Sequence, residues 1–118
     1  MLKAFGYALH GWRLGLKGRN FKIQLLIALI VISASIFFQI SPMEWVIVLL
    51  LIGAVITAEL FNTAIEEICN LATVKLKLRY SDTKVHRDLA AGAVLVIAVV
   101  AALIGMVIFI PKVLILLL

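Results

Sequence analysis

Ala58-Glu59-Leu60-Phe61-Asn62-Thr63-Ala64-Ile65-Glu66-Glu67 closes a long apolar run that begins at Trp45. Asn62, Thr63 and Glu66 follow Glu59 by three, four and seven residues. On a helix those offsets stack the four side chains on one face, one turn above another. A carboxylate in the middle of a bilayer costs about 2.5–3.5 kcal/mol on insertion scales. Two carboxylates and an amide kept in register at the end of a membrane-type segment therefore mark a candidate active site.

Composition supports the membrane reading. Of 118 residues, 65% are hydrophobic, against roughly 45–50% in an ordinary globular domain, and the mean hydropathy is +1.24. A soluble chain this short cannot hide so much apolar surface. The expected class is an all-α integral membrane protein with a single domain over residues 1–118. The net charge of +5 points to anionic headgroups and phosphate-bearing substrates as partners, and not to nucleic acid. Cys69 is the one cysteine, which excludes an intramolecular disulfide and reads as a packing residue. The first long apolar run starts only near Ile23, behind a long basic segment, so an uncleaved N-terminus is expected.

Residues 1–20 carry charges and glycines but keep a helical period. Phe5, Leu9, Trp12 and Leu16 share one face, and Lys3, His10, Arg13 and Lys17 a neighbouring one. That pattern predicts an amphipathic surface helix lying in the membrane interface. Gly18-Arg19-Asn20 then bends into a first span over 23–40. Ser33 and Ser35 within it are expected to bond to backbone carbonyls or to a neighbouring helix. Ser41-Pro42-Met43-Glu44 reads as a capping box with proline at the first helical position. It opens a helix from about Pro42 to about Asn70, with a span over 45–66. Residues 70–87 are basic and are read as a helix extension or an irregular loop, with Ser81 and Asp82 as caps of the next helix. The last span covers 89–110 of a helix over 83–110, which Pro111 and Lys112 are expected to end.

The basic residues set an orientation. They concentrate in the N-terminal segment and in 70–87, while the 41–44 turn has none. The positive-inside rule places the N-terminus and the 70–87 segment in the cytoplasm, so Glu59 to Glu66 arrive at the face where nucleotide is available. There Glu59, Glu66 and Asp88 meet a ring of Lys and Arg. Carboxylates with cations suit a metal–phosphate site, because Mg²⁺ prefers one or two carboxylates plus phosphate oxygens. A remaining carboxylate can take a proton from an alcohol as general base. No glycine-rich phosphate loop is present, which excludes the soluble kinase folds.

At Glu59-Leu60-Phe61-Asn62-Thr63-Ala64-Ile65-Glu66, and again at Arg87-Asp88-Leu89-Ala90-Ala91-Gly92-Ala93-Val94, the chain resembles the prokaryotic diacylglycerol kinase family. That family includes the undecaprenol kinases. The resemblance covers nearly the whole chain. It implies a homotrimeric lipid kinase of the bacterial inner membrane that uses MgATP on a lipid hydroxyl, with active sites shared between subunits. On this resemblance Glu59 is the general base and Glu66 the metal-holding carboxylate. Asn62, Arg87 and Asp88 serve the nucleotide. The wording at 90–94 leans toward undecaprenol over diacylglycerol. Three positions depart from the family pattern. No acidic residue precedes Glu44, where relatives often bring a second metal-binding glutamate, and Gln24 is the nearest polar residue. Asn70 stands where an aspartate is common, and Arg87 where a lysine is common.

Two other classes use the same residues differently. A small membrane transporter would bind a cation at Glu59, but the stripe sits at one end of the span and not at its midplane. A non-catalytic membrane subunit would use Glu59 and Glu66 for helix packing. Glu67 reads as a solvated neighbour, His10 and His86 as interfacial polar groups, and Trp12 and Trp45 as interface anchors.

Overall fold

The computed structural model describes residues 1–118. The chain forms four helices: α1 (Leu2–Gly15), α2 (Arg19–Phe37), α3 (Pro42–Lys75) and α4 (Tyr80–Leu117). The last three are each long and apolar enough to cross a membrane. α3 is the central helix, against which α1, α2 and α4 all pack. Only 13 of the 118 residues are buried within the chain. That is far too few to hold a soluble domain together, so most of the apolar surface must face lipid or other protein.

α3 has 34 residues and α4 has 38. At about 1.5 Å per residue they run roughly 50–57 Å. About 20 residues suffice for a bilayer core of roughly 30 Å, so both helices overrun it. The basic 70–87 segment is absorbed by this overrun. α3 continues to Lys75, α4 begins at Tyr80, and only Leu76–Arg79 lie outside helix. Of the two readings of this segment, a helix extension or an irregular loop, the extension is found, and the boundary at Asn70 is corrected. Lys77 takes a left-handed conformation (φ 56°) just past the end of α3, which lets the chain reverse within four residues. The first cap of α4 also differs from expectation. Its flanking residue is Arg79, whose N–H donates to Asp82 Oδ2 at 2.9 Å. Asp82 therefore acts from the third helical position and Ser81 takes no part.

At the opposite end of the α3–α4 pair, local chemistry was legible. Ser41 Oγ accepts from the Glu44 N–H at 3.2 Å, and Glu44 Oε1 accepts from the Ser41 N–H at 3.0 Å. α2 ends at Phe37, earlier than the expected 40, because Gln39 turns left-handed (φ 49°). The Ile40 N–H then reaches back to Ser35 O at 3.3 Å, and the Gln39 N–H to Ile36 O at 3.2 Å. This pair of bonds closes a helix C-terminus. It also aims Ile40 into a cluster with Val48 and Ile108, flanked by Phe38, Trp45 and Phe109. Ser33 and Ser35 donate to the carbonyls of Leu29 and Val31 on their own helix.

Pro111 does not end α4. The helix runs through it to Leu117. Proline has no N–H for the carbonyl of Val107, four residues back, and an interior proline costs about 3 kcal/mol. The next residue offsets this loss. Lys112 Nζ bonds Glu44 Oε2 at 2.7 Å and Ile108 O at 3.2 Å, which ties the last turns of α4 to the first turn of α3.

The break between α1 and α2 falls at Leu16–Gly18, so Arg19 and Asn20 belong to the first turn of α2 and not to a bend. Phe5, Leu9, Trp12 and Leu16 stay exposed within the chain. α1 meets α3 through Gly15, where a Cβ would lie 2.8 Å from Leu60 Cδ2 and 3.5 Å from the Phe21 ring. Phe21 is buried and sits edge-on to Trp12, with centroids 5.5 Å apart. A branched side chain at position 15 would add further atoms to a place where a Cβ alone already displaces Leu60 against Phe21. Gly15→Val is therefore expected to lift α1 off α3 and speed protease cleavage within residues 1–18, whereas Gly15→Ala needs only a shift of Leu60. Equal cleavage of wild type and Gly15→Val in detergent would contradict this packing.

Candidate active site

The buried face of α3 begins apolar and turns polar part-way along. Its buried residues are Val48, Val55, Glu59, Asn62 and Cys69. Spacings of seven, four, three and seven place all five on one stripe. Glu59 and Asn62 are 4% and 5% exposed, so they sit where the same helix elsewhere packs valine. Glu66, one turn beyond Asn62, comes out to the surface, and Glu67 beside it is exposed as expected of a solvated neighbour. Cys69 is buried and free, in keeping with a packing role.

Polar contacts bind part of this stripe together. Asn62 Nδ2 donates to Glu66 Oε1 at 3.2 Å, which orients one carboxylate oxygen and leaves the other free. Asn62 Oδ1 is buried with no hydrogen-bond partner. An unpaired buried acceptor costs about 1–3 kcal/mol, so the site holds an acceptor that a ligand or water would satisfy. Thr63 behaves differently from the reading that grouped it with the stripe. Its hydroxyl donates to the main-chain carbonyl of Glu59 at 3.0 Å and is spent on the helix itself. The chain's ion pairs are Arg79–Asp82, Lys84–Asp88 and Lys112–Glu44. None includes Glu59 or Glu66, so neither carboxylate has a cation holding it in place.

A crevice of about 450 Å³ opens between α3 and α4 beside Asn62. Ala54, Ala58, Phe61 and Ile65 line it from α3, and Ala90 and Ala93 from α4. Two small residues of the second motif, Ala90 and Ala93, thus share this crevice with Asn62 of the first.

The start of α4 supplies the cations. Arg87 Nη2 donates to Asn70 Oδ1 on α3 at 3.0 Å, and Arg87 Nε to Thr83 Oγ1 at 3.0 Å. Asp88 does not join the stripe. Its carboxylate bonds Lys84, one turn back on its own helix. That hydrogen bond and the charge of Asp88 hold the exposed Lys84 ammonium above its ordinary pKa. The structure thus gathers Glu59, Asn62 and Glu66, brings Arg87 to α3, and leaves Asp88 on the outer side. Asn70 is the contact that sequence reasoning missed. Its one signal is its place one helical turn beyond Glu66 on the same helix.

Nowhere in the chain do three His, Cys, Asp or Glu side chains converge as metal ligands. The donor set still suits Mg²⁺, which takes one or two protein carboxylates and fills the remainder with phosphate oxygens and water. Glu66, exposed and with one oxygen steadied by Asn62, meets that requirement.

Three long apolar helices with a carboxylate and an amide on the buried face of the central one define a helical membrane protein with a polar site. The chain belongs to the prokaryotic diacylglycerol kinase family, whose model matches residues 6–109. It is 40% identical over 111 residues to an undecaprenol kinase of Bacillus subtilis, covering 93% of this chain and 88% of that one. It is 31% identical over 97 residues to a diacylglycerol kinase of Synechocystis, covering 81% of this chain and 54% of that one. No solved structure matches it.

Asn62 can be tested separately from the carboxylates. Asn62→Ala frees Glu66 and removes the buried acceptor. Loss of a hydrogen bond to a charged group is worth about 1.5–3 kcal/mol, so turnover should fall roughly ten- to a hundredfold. Glu67→Gln should stay near wild type. Equal losses in the two variants, read by phosphate transfer to lipid, would contradict the assignment.

Proposed function

We propose that the chain transfers the γ-phosphoryl group of ATP to the hydroxyl of a membrane lipid alcohol at the cytoplasmic face of the bacterial inner membrane. Undecaprenol is the substrate preferred over diacylglycerol. The observation that carries this reading is the buried Glu59, free of any cation and one turn from an Asn62–Glu66 hydrogen-bonded pair. The lipid preference rests on the greater identity to the undecaprenol kinase, and on the larger share of that relative's length covered.

Phosphoryl transfer needs positioning and charge stabilisation more than covalent chemistry from the protein. Glu59 accepts the proton of the lipid hydroxyl as the oxygen attacks phosphorus. Burial beside apolar residues keeps bulk water from that carboxylate and favours the lipid alcohol as its proton donor. Glu66 is the residue that would hold Mg²⁺, and Asn62 fixes the rotamer from which it does so. When bound, the metal neutralises charge on the ATP phosphates. Arg87 at the start of α4 is assigned to a phosphate of the nucleotide, whereas Asp88, expected beside it, is engaged by Lys84 on its own helix. With no acidic residue before Glu44, Glu66 is the carboxylate of this chain that would hold the metal, without a second glutamate from the first segment.

The surroundings fit the same reading. α1 lies in the membrane interface with Phe5, Leu9, Trp12 and Leu16 toward the acyl chains, which accounts for their exposure within the chain. The low burial and the faces of small residues on α3 and α4 favour association into a homotrimer with shared sites. A transporter using Glu59 would not consume ATP in detergent without a gradient.

Purified protein given labelled ATP, Mg²⁺ and mixed micelles of either lipid should label undecaprenol faster than diacylglycerol. No label on either lipid would refute the kinase reading, and faster labelling of diacylglycerol would reverse the preference. Glu66→Gln should shift the Mg²⁺ requirement upward, and an unchanged titration would remove Glu66 as the metal-holding residue.

A further inference from the structure

We infer that Asn70, supported by Thr83, is a positioning residue that holds the Arg87 guanidinium as a phosphate receptor for the nucleotide. This rests on the proposed contact between Arg87 and ATP.

Arg87 is anchored at three points. Its Nη2 donates across the helix pair to Asn70 Oδ1 at 3.0 Å, its Nε donates to Thr83 Oγ1 at 3.0 Å, and its guanidinium carbon lies 4.6 Å from the Tyr80 ring centroid. Thr83 is itself fixed, because it is buried and its hydroxyl proton goes to the Tyr80 carbonyl at 3.1 Å. The Thr83 oxygen is thereby left with a lone pair for Arg87.

All three anchors are neutral. The nearby carboxylates are engaged elsewhere, Asp88 by Lys84 and Asp82 by Arg79. Arg87 therefore has a set orientation and an uncompensated charge. Of the five N–H donors of a guanidinium, two are used by Asn70 and Thr83, so three remain for a ligand. A planar fork of free donors on a fixed cation suits a phosphate group.

The position of Asn70 gives this local arrangement its reach. It follows Glu66 by four residues, as Glu66 follows Asn62, so the anchor is the next turn of the helix that carries the proposed base and metal carboxylate. Without it, Arg87 keeps only contacts on its own helix and loses its register to α3. Thr83 and Tyr80 cannot supply that register.

The test is a thermodynamic cycle in the full-length protein in detergent, read by equilibrium binding of a fluorescent ATP analogue and by phosphate transfer to undecaprenol. Asn70→Ala should weaken ATP binding about tenfold and raise KM for ATP similarly, since a hydrogen bond to a charged group is lost. It should leave kcat within about threefold and KM for the lipid unchanged, because those depend on Glu59 and the lipid site. In an Arg87→Ala background the same Asn70 change should have no further effect on ATP binding. A purely structural role would instead give the same loss in both backgrounds, and that result, or unchanged ATP affinity in Asn70→Ala, overturns the inference. Coupled ATP binding without transfer to any lipid would uphold the Asn70–Arg87 unit while refuting the kinase reading. Lipid labelling with ATP affinity indifferent to Asn70 would do the reverse.

Discussion

A carboxylate and an amide on the buried face of a long apolar helix are the constraint around which this molecule is built. Val48 and Val55 show what that face of α3 ordinarily carries, and Glu59 and Asn62 replace the hydrophobic residue at the next two positions on the same stripe. Burying polar groups is unfavourable unless they find partners. Asn62 finds half of what it needs in Glu66, and its other end has no partner within the chain. A fold that retains such a deficit needs a compensating use for it. The proposed phosphoryl transfer would supply one, with a base near the lipid, a carboxylate for a metal and a polar group to orient them.

The α3–α4 pair holds this face in place through polar contacts at its two ends. Lys112 bonds Glu44 at one end and Arg87 bonds Asn70 at the other. Between them lie apolar and small side chains, including Ala90 and Ala93 opposite Asn62. In lipid there is no hydrophobic drive to bring helices together, so close packing of small residues and polar contacts must set the register. Each end contact also serves a second purpose. Glu44 caps α3, and Arg87 brings a cation to the turn of α3 that follows Glu66. α1 closes the remaining side through Gly15 against Leu60, the residue next to the buried glutamate.

The parts of this arrangement that sequence made legible are those governed by local spacing. The stripe from Glu59 to Glu66 and the capping box at Ser41–Glu44 depend on residues within two turns of each other, and both appear in the structure. The membrane class followed from composition. Other features depend on what the chain meets elsewhere. Pro111 carries a local signal to stop a helix, yet α4 continues because Lys112 is tied to Glu44, 68 residues away in sequence. The polar character of 70–87 left a helix extension and an irregular loop both open, and the structure takes the extension on both sides of a four-residue turn, because helices that overrun the bilayer keep their backbone bonds in water as well as in lipid. The Asn70–Arg87 bond spans 17 residues and a left-handed turn at Lys77, and no periodicity announces it. The pairing of Asp88 with Lys84 is a four-residue spacing that the sequence contains, and it takes Asp88 away from the active-site carboxylates.

The central claim is that the buried Glu59 is the base that activates the lipid hydroxyl. Its most direct test is a single-turnover measurement of phosphate transfer to undecaprenol by wild type and Glu59→Gln, with ATP affinity measured on the same samples. The amide keeps the size of the side chain and removes the proton acceptor. The account predicts that transfer is nearly abolished while ATP binds as in wild type. Transfer at the wild-type rate in Glu59→Gln would contradict it.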